Sequence, residues 1–221
     1  MRKDLLVNES FYHIFNRSIA KFEIFNKPEE YARFLAIAGL FKYADFQYKY
    51  SEFTELDVIN QYKIISALKN NNNLYVRIVA YCIMPTHFHL ILEQKENDGI
   101  SKYMAKLLNS YSRYFNLKHN RKGPLWEGKF KSVLIENDKQ LLHLTRYIHL
   151  NPVSAKLINN PEKWQYSSYN EYIKKDNKNI CDFRGLFDLN EKKYIKFVRD
   201  RISYQKDLSE IKHLLIENYS G

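Results

Sequence analysis

The alternation of apolar and polar residues along the chain predicts a series of short strands separated by amphipathic helices. Strands are expected at 11–16, 74–83, 87–93 and 129–135, and helices at 28–46, 57–69, 99–117 and 137–150. The last helix should end there because Pro152 cannot continue it and disfavours helical geometry at the preceding residue. The order strand, helix, strand, strand, helix, strand is typical of a split β-α-β sheet. The fold class is therefore predicted to be α+β, a ferredoxin-like antiparallel sheet with helices on one face and a helical C-terminal appendage.

Two histidines separated by a single residue, His87 and His89, lie in the third predicted strand. Because side chains alternate along a strand, both imidazoles face one side while Phe88 points to the other. Two neighbouring imidazoles on a strand make a large part of a divalent-metal site. Taken alone, the pair also fits a half-buried strand face without any ligand role.

The helix predicted over 137–150 carries Tyr147, and Asn151 follows it one turn later. Residues four apart lie nearly on one helix face, so a phenol and a carboxamide are presented together. If that face meets the histidine strand, the Asn151 carbonyl oxygen can be the third metal ligand and the Tyr147 oxygen a nucleophile. His143 and His149 are alternative ligands to Asn151. A tyrosine packed at a helix end, with Asn151 as the helix stop, is the structural alternative.

Aromatic and basic residues are interleaved between residues 109 and 131. Unpaired bases stack on aromatic rings and basic side chains contact phosphates, so this stretch is predicted to bind DNA. The candidate DNA-binding residues are Arg113, Lys118, Arg121, Lys122, Trp126, Lys129 and Lys131. The structural alternative for any one of the basic residues is a solvated surface position, and for the tryptophan it is the core. Tyr111 and Tyr114 are rival nucleophiles, although their helical spacing also fits a core or base-contacting role.

The chain has 221 residues, 45% of them hydrophobic, and a formal net charge of +10. That size supports one sizeable core, and the excess of lysine and arginine favours a polyanionic partner. Cys82 and Cys181 are too few and too far apart for a disulfide framework or a zinc knuckle. The sequence also lacks an apolar run of about eighteen residues. We therefore expect a chain in the reducing cytoplasm, without a membrane segment.

Several ordered motifs resemble those of one family of DNA-processing proteins. Met-Pro-Thr-His-Phe-His at 84–89 and Arg-Tyr-Ile-His-Leu-Asn-Pro-Val at 146–153 resemble the two motifs of the HUH single-tyrosine (Y1) transposases. The closest resemblance is to the REP-associated tyrosine transposases, and it extends to segments 11–17, 123–132 and 164–169.

The resemblance covers about residues 8–175 and implies an HUH/Y1 transposase-like catalytic domain at 1–175. The highly charged sequence beyond it predicts a basic helical C-terminal extension at 176–221, packed on that domain, with helices near 191–201 and 208–217. It also implies single-stranded or hairpin DNA as the partner of a monomer or homodimer. Mg²⁺ or Mn²⁺ would be held by His87, His89 and Asn151, a neutral ligand set that leaves positions for phosphate.

The expected chemistry is nicking and strand transfer, in which Tyr147 attacks the scissile phosphate and forms a 5′-phosphotyrosine. The free 3′-hydroxyl can reverse this step. Two alternatives remain open at this point: a hairpin-binding regulator with little or no catalysis, and a metal-dependent nuclease in which water attacks.

Overall fold

The computed structural model describes residues 5–176, 178–188 and 190–202. The strands are β1 Phe11–Arg17, β2 Val76–Met84, β3 His87–Gln94 and β4 Lys131–Ile135. The α-helices are α1 Pro28–Phe41, α2 Tyr50–Glu55, α3 Val58–Asn71, α4 Gly99–Lys118, α5 Asp138–Ser154, α6 Tyr169–Tyr172 and α7 Glu191–Arg199. Single 3-10 turns occur at Ile19–Lys21 and Pro161–Lys163.

The four strands form one sheet in the order β2-β3-β1-β4, and every neighbouring pair is antiparallel. Strands β1 and β2 are therefore parallel to each other with β3 between them, which is the split β-α-β arrangement. In this register His89 lies opposite Phe15, and His87 lies opposite Arg17. The predicted fold class is confirmed.

The sheet buries both of its faces, each against different helices. On one face, inward residues such as Ile14 and Phe88 join a core with α1 and α4. On the other face, Cys82 and Ile91 pack against α5 through residues such as Ile148. The two helices of the split β-α-β unit thus share one face, as predicted, and α5 covers part of the opposite face.

Helix α5 continues past Pro152 to Ser154, so the predicted end near residue 150 is wrong. A proline removes one backbone donor, but the following turn keeps its own bonds: Ala155 donates to the Asn151 carbonyl at 2.9 Å. Pro152 and Val153 are both buried, so packing against the core favours the extra helical turn.

Helix α1 stops at Phe41 rather than at residue 46, because the chain beyond it pairs with the segment before β2. Tyr75 donates its backbone N–H to Lys42 O at 2.9 Å, and Ala44 donates to Asn73 O at 2.9 Å. These bonds replace the next helical turn. The short helix α2 was not predicted.

The described part of the C-terminal region packs against α5. Tyr194 and Val198 of α7 are buried in the same core as Ile148. The helix predicted near 191–201 corresponds to α7, and the one predicted near 208–217 lies outside the described residues. The division of the chain at residue 175 stays a prediction. Across the ranges described, every helix is too short or too polar to cross a membrane.

Candidate active site

A tight hairpin presents the two histidines side by side. The two-residue turn Pro85–Thr86 joins β2 to β3 and places His87 directly opposite Met84. Phe88 is fully buried on the face of the sheet that packs against α1 and α4. The imidazoles on either side of it must therefore point to the opposite face. Their ring centroids are 5.2 Å apart, and the rings are perpendicular.

Each of these rings has its Nδ1 atom against a neighbouring polar group. His87 Nδ1 lies 3.0 Å from Thr86 Oγ1, and His89 Nδ1 lies 2.9 Å from His13 Nε2. In a metal site built on these two rings, Nε2 would be the ligating nitrogen. Contacts of this kind hold a ligating imidazole in one orientation.

His87 is neutral at physiological pH. Burial, with a contribution from the positive charge of Arg17, lowers the pKa of His87 to about 4. A neutral imidazole keeps a lone pair, which is the form that binds metal ions. The surroundings of His87 thus favour a ligand over a cation.

Helix α5 carries the tyrosine to the histidine pair. Its first turn is capped by Asn137, whose side-chain oxygen accepts the Gln140 N–H at 2.9 Å. Ile148, the next residue, is fully buried and fixes the side of α5 that faces the core. The Tyr147 ring then lies edge-on to His89, with 6.1 Å between ring centroids. The structure therefore brings together the tyrosine and the histidine pair, which are about sixty residues apart in sequence.

Asn151 lies one turn after Tyr147 on the same helix face. Its Nδ2 atom is buried and has no hydrogen-bond partner among the residues described. A half-turn of the carboxamide places Oδ1 at that position, where an oxygen could coordinate a cation. In the described ranges no group of three or more His, Cys, Asp or Glu side chains is arranged to hold a metal. The buried amide of Asn151, without a hydrogen-bond partner among the residues described, makes it a candidate ligand beside the histidine pair.

The alternative ligands on α5 are engaged elsewhere. His149 is fully buried, with Nδ1 at 2.7 Å from Tyr194 Oη and Nε2 at 2.7 Å from Ser168 Oγ. His143 has Nδ1 at 2.8 Å from an Arg146 guanidinium nitrogen. The His143 ring also packs edge-on against Phe197 of α7, with 5.5 Å between centroids. Both imidazoles thus contact groups other than the histidine pair, and Asn151 remains the candidate third ligand.

Tyr111 and Tyr114, the alternative nucleophiles, lie on the side of the sheet opposite the histidine pair. Tyr111 is completely buried in the core beneath α4, and its hydroxyl donates to Ile24 O at 2.6 Å. Burial also raises the pKa of Tyr111 far above its usual value. The Tyr114 hydroxyl accepts from Lys118 Nζ at 3.2 Å on the same helix. Of the tyrosines considered as nucleophiles, only Tyr147 is next to the histidines.

Sequence reasoning missed two side chains of this site, His13 and Arg17. Both lie on β1, the neighbour of β3, and alternate onto the same face as His89. Arg17 makes a two-point ion pair with Glu127, whose backbone N–H also donates to Arg17 O at 3.0 Å. The period of two in β1 indicates that both residues share a face, but only the pairing of β1 with β3 brings that face to His89.

The predicted DNA-binding residues do not form one surface. Arg113 is exposed on α4, on the face of the sheet opposite the histidines. Lys131 is exposed on β4 opposite Phe15, and therefore lies on the histidine side. Lys118 also belongs to α4, whereas Lys122 and Lys129 are exposed on the segment between α4 and β4.

Two members of that predicted set have structural roles. The Trp126 ring packs against the core, 5.5 Å from Phe88, and its Nε1 donates to Leu108 O at 3.4 Å. Arg121 donates to Asn116 Oδ1 at 3.0 Å and to Pro124 O at 2.8 Å, which orders its loop. Contact of either residue with DNA stays a prediction.

Comparisons with known proteins point to one family. The family model described as "Transposase IS200 like" matches residues 46–151. A Haemophilus influenzae protein provisionally named a REP-associated tyrosine transposase is 31% identical over 129 residues, covering 53% of this chain and 72% of that protein. The REP-associated tyrosine transposase of Escherichia coli K12 is 23% identical over 116 residues, covering 51% and 67%.

A solved structure of a REP-associated tyrosine transposase bound to a REP hairpin shares the fold. It has a TM-score of 0.55 and 15% identity, and the match covers 85% of this chain and 87% of that one. The relatives identify a transposase, a DNA-processing enzyme. The chain belongs to the REP-associated tyrosine transposases.

Proposed function

We propose that this chain nicks and transfers single strands of hairpin-flanked DNA through a 5′-phosphotyrosine intermediate on Tyr147. The observation that carries the proposal is the edge-on approach of the Tyr147 ring to His89, at 6.1 Å. Neither motif alone predicts a reaction, but a phenol beside two imidazoles would provide a nucleophile next to a cation site.

We propose His87, His89 and Asn151 as the ligands of Mg²⁺ or Mn²⁺. When bound, the ion would stabilise negative charge developing on the scissile phosphate. The low pKa of His87 and the orphaned amide of Asn151 support this ligand set. Because all three ligands are neutral, the charge of the ion remains available to the phosphate.

The Tyr147 oxygen attacks phosphorus and loses its proton, while the bond from phosphorus to the 3′ oxygen breaks and that oxygen gains a proton. One phosphodiester replaces another, so little free energy is lost and a 3′-hydroxyl can reverse the step. Helix α5 supports this reaction by holding Tyr147 in place through the buried Ile148 on its inner face. A fixed nucleophile avoids much of the entropic cost of bringing the reacting groups together.

The DNA partner is proposed to lie over the part of the sheet beside the histidines. Phe15 and Val133 offer apolar surface there, and Lys131 offers positive charge on the same face. The net charge of +10 supports a polyanionic partner, and the related transposase of similar fold was solved with a REP hairpin. A hairpin with an unpaired flank would let a flexible strand reach Tyr147.

The test is incubation of the chain with a 3′-labelled DNA hairpin carrying a single-stranded flank, with Mn²⁺, followed by a denaturing gel; the 3′ label stays on the strand that a 5′-phosphotyrosine retains. We expect a covalent protein–DNA band that is lost in Tyr147→Phe and kept in Tyr114→Phe, a matched control on α4. Hairpin binding without cleavage would favour a regulator, and cleavage without an adduct would favour a nuclease that uses water. Either result would refute the proposed function.

A further inference from the structure

A third histidine, His13, lies beside the proposed metal ligands. Its Nε2 atom is 2.9 Å from His89 Nδ1, and the two rings are nearly parallel, with 21° between their planes. His13 comes from β1, so the contact joins two adjacent strands. It meets the nitrogen of His89 that is not proposed to bind the metal.

The position of His13 is set by the sheet itself. In the strand register His13 lies opposite Ile91 on β3 and opposite Val133 on β4, which places its ring between two apolar neighbours. Phe15, two residues along β1, lies 4.9 Å from the His13 ring and 6.0 Å from the His89 ring. The backbone and these neighbours together restrict where the imidazole can point.

We propose that His13 is a positioning residue, which fixes the orientation and the tautomer of His89 so that His89 Nε2 carries the lone pair for the metal. This inference rests on the proposed function, in which His89 is a ligand. A neutral imidazole has one N–H, so a His89 Nδ1–H donated to His13 Nε2 leaves the lone pair on His89 Nε2. Partners of this kind on the second nitrogen are a general feature of ligating histidines.

Thr86 makes the corresponding contact for the other ligand, with its Oγ1 at 3.0 Å from His87 Nδ1. The two contacts differ in kind, because a hydroxyl can rotate to suit either tautomer whereas a strand-held imidazole can accept or donate only at fixed positions. His13 is therefore the stronger constraint of the two. Its removal should affect the metal site more than the fold, since the ring is only partly buried.

Calorimetric titration of the full chain with Mn²⁺, in the absence of DNA, tests the proposal without measuring activity. His13→Phe keeps a ring but cannot accept the hydrogen bond, and we expect it to weaken Mn²⁺ binding by about 10–100-fold. His13→Gln can accept at nearly the same position and should keep most of the affinity. His119→Phe is the matched control, because it makes the same substitution at the end of α4, where His119 Nε2 contacts Glu30 rather than a proposed ligand, and it should leave the affinity near that of the wild type.

The tautomer of His89 provides an independent test of the role of His13. Nuclear magnetic resonance of the metal-free chain should show His89 protonated at Nδ1 in the wild type and in His13→Gln, and this preference should be lost in His13→Phe. Unchanged Mn²⁺ affinity in His13→Phe would overturn the proposal, as would an equal loss in His13→Gln. If His13→Phe fails to fold, a wild-type His89 protonated at Nε2 would overturn it as well.

These outcomes separate the inference from the function on which it rests. A wild-type chain that binds no Mn²⁺ would remove the proposed metal site and the role of His13 together. If the wild type binds Mn²⁺ and His13→Phe binds it with the same affinity, only the role of His13 is refuted and the metal site stands.

Discussion

The C-terminal region is attached to the tyrosine helix by a buried hydrogen-bond chain that depends on one hydroxyl. Tyr194 Oη lies 2.7 Å from His149 Nδ1 and 2.9 Å from Thr145 Oγ1, and all three residues are buried. Tyr194→Phe removes that hydroxyl and leaves the ring packing in place. Thr145 keeps its bond to Leu142 O at 2.8 Å, so the loss falls mainly on His149, whose Nδ1 is left without this partner.

A buried polar group left without its partner costs about 1–3 kcal/mol, so Tyr194→Phe should lower the free energy of unfolding by that amount. For a chain of this size the melting temperature should fall by about 2–4 °C per kcal/mol. Urea unfolding followed by circular dichroism measures the change. Tyr62→Phe is the matched control: its side chain is 71% exposed, and we expect a change within about 0.5 kcal/mol. A Tyr194→Phe variant as stable as Tyr62→Phe would refute the reasoning.

Three further predictions concern acid stability, the metal and the DNA. Burial alone would raise the pKa of Glu30, but hydrogen bonds from two backbone N–H groups and His119 outweigh it and lower the pKa. The carboxylate therefore stabilises the fold at neutral pH, and this contribution is lost as the pH falls below about 4.5. The free energy of unfolding of Glu30→Gln, measured by urea unfolding, should therefore fall less on acidification than that of the wild type. Parallel pH dependences of the two proteins would contradict this prediction. His87→Ala should weaken Mn²⁺ binding in calorimetry more than Asn151→Ala, because water can replace a neutral carbonyl oxygen, and equal losses would count against the ligand set. In gel-shift titrations at fixed salt, a hairpin with a single-stranded flank should bind more tightly than the same sequence as a full duplex, and equal affinities would argue against single-strand recognition.

Local periodicity was enough to predict the two halves of the site. The period of two in β3 puts His87 and His89 on one face of the sheet. The spacing of four on α5 puts Tyr147 and Asn151 on one face of that helix. Each of these rules involves only a few consecutive residues. The ferredoxin-like order of elements then places α1 and α4 on one side of the sheet.

The features that were not predicted depend on contacts between distant segments. Helix α5 passes Pro152 because the last turn is buried against the sheet, which outweighs the local preference of proline to end a helix. His13 becomes a neighbour of His89 only once β1 pairs with β3, 76 residues away in sequence. Trp126, expected among basic residues on a DNA surface, packs against Phe88 because its loop folds back over the core. In each case tertiary packing decided the outcome.

The most direct test of the account is to identify the residue that carries the DNA after cleavage. The covalent adduct formed on a hairpin substrate with Mn²⁺ would be digested with nuclease and trypsin, and the modified peptide sequenced by mass spectrometry. We predict the nucleotide on Tyr147, in the peptide 147–156, or in 140–156 if the adduct blocks cleavage after Arg146. A nucleotide on the peptides 107–113 or 114–118, which contain Tyr111 and Tyr114, would contradict the account, because these tyrosines belong to α4 on the opposite side of the sheet.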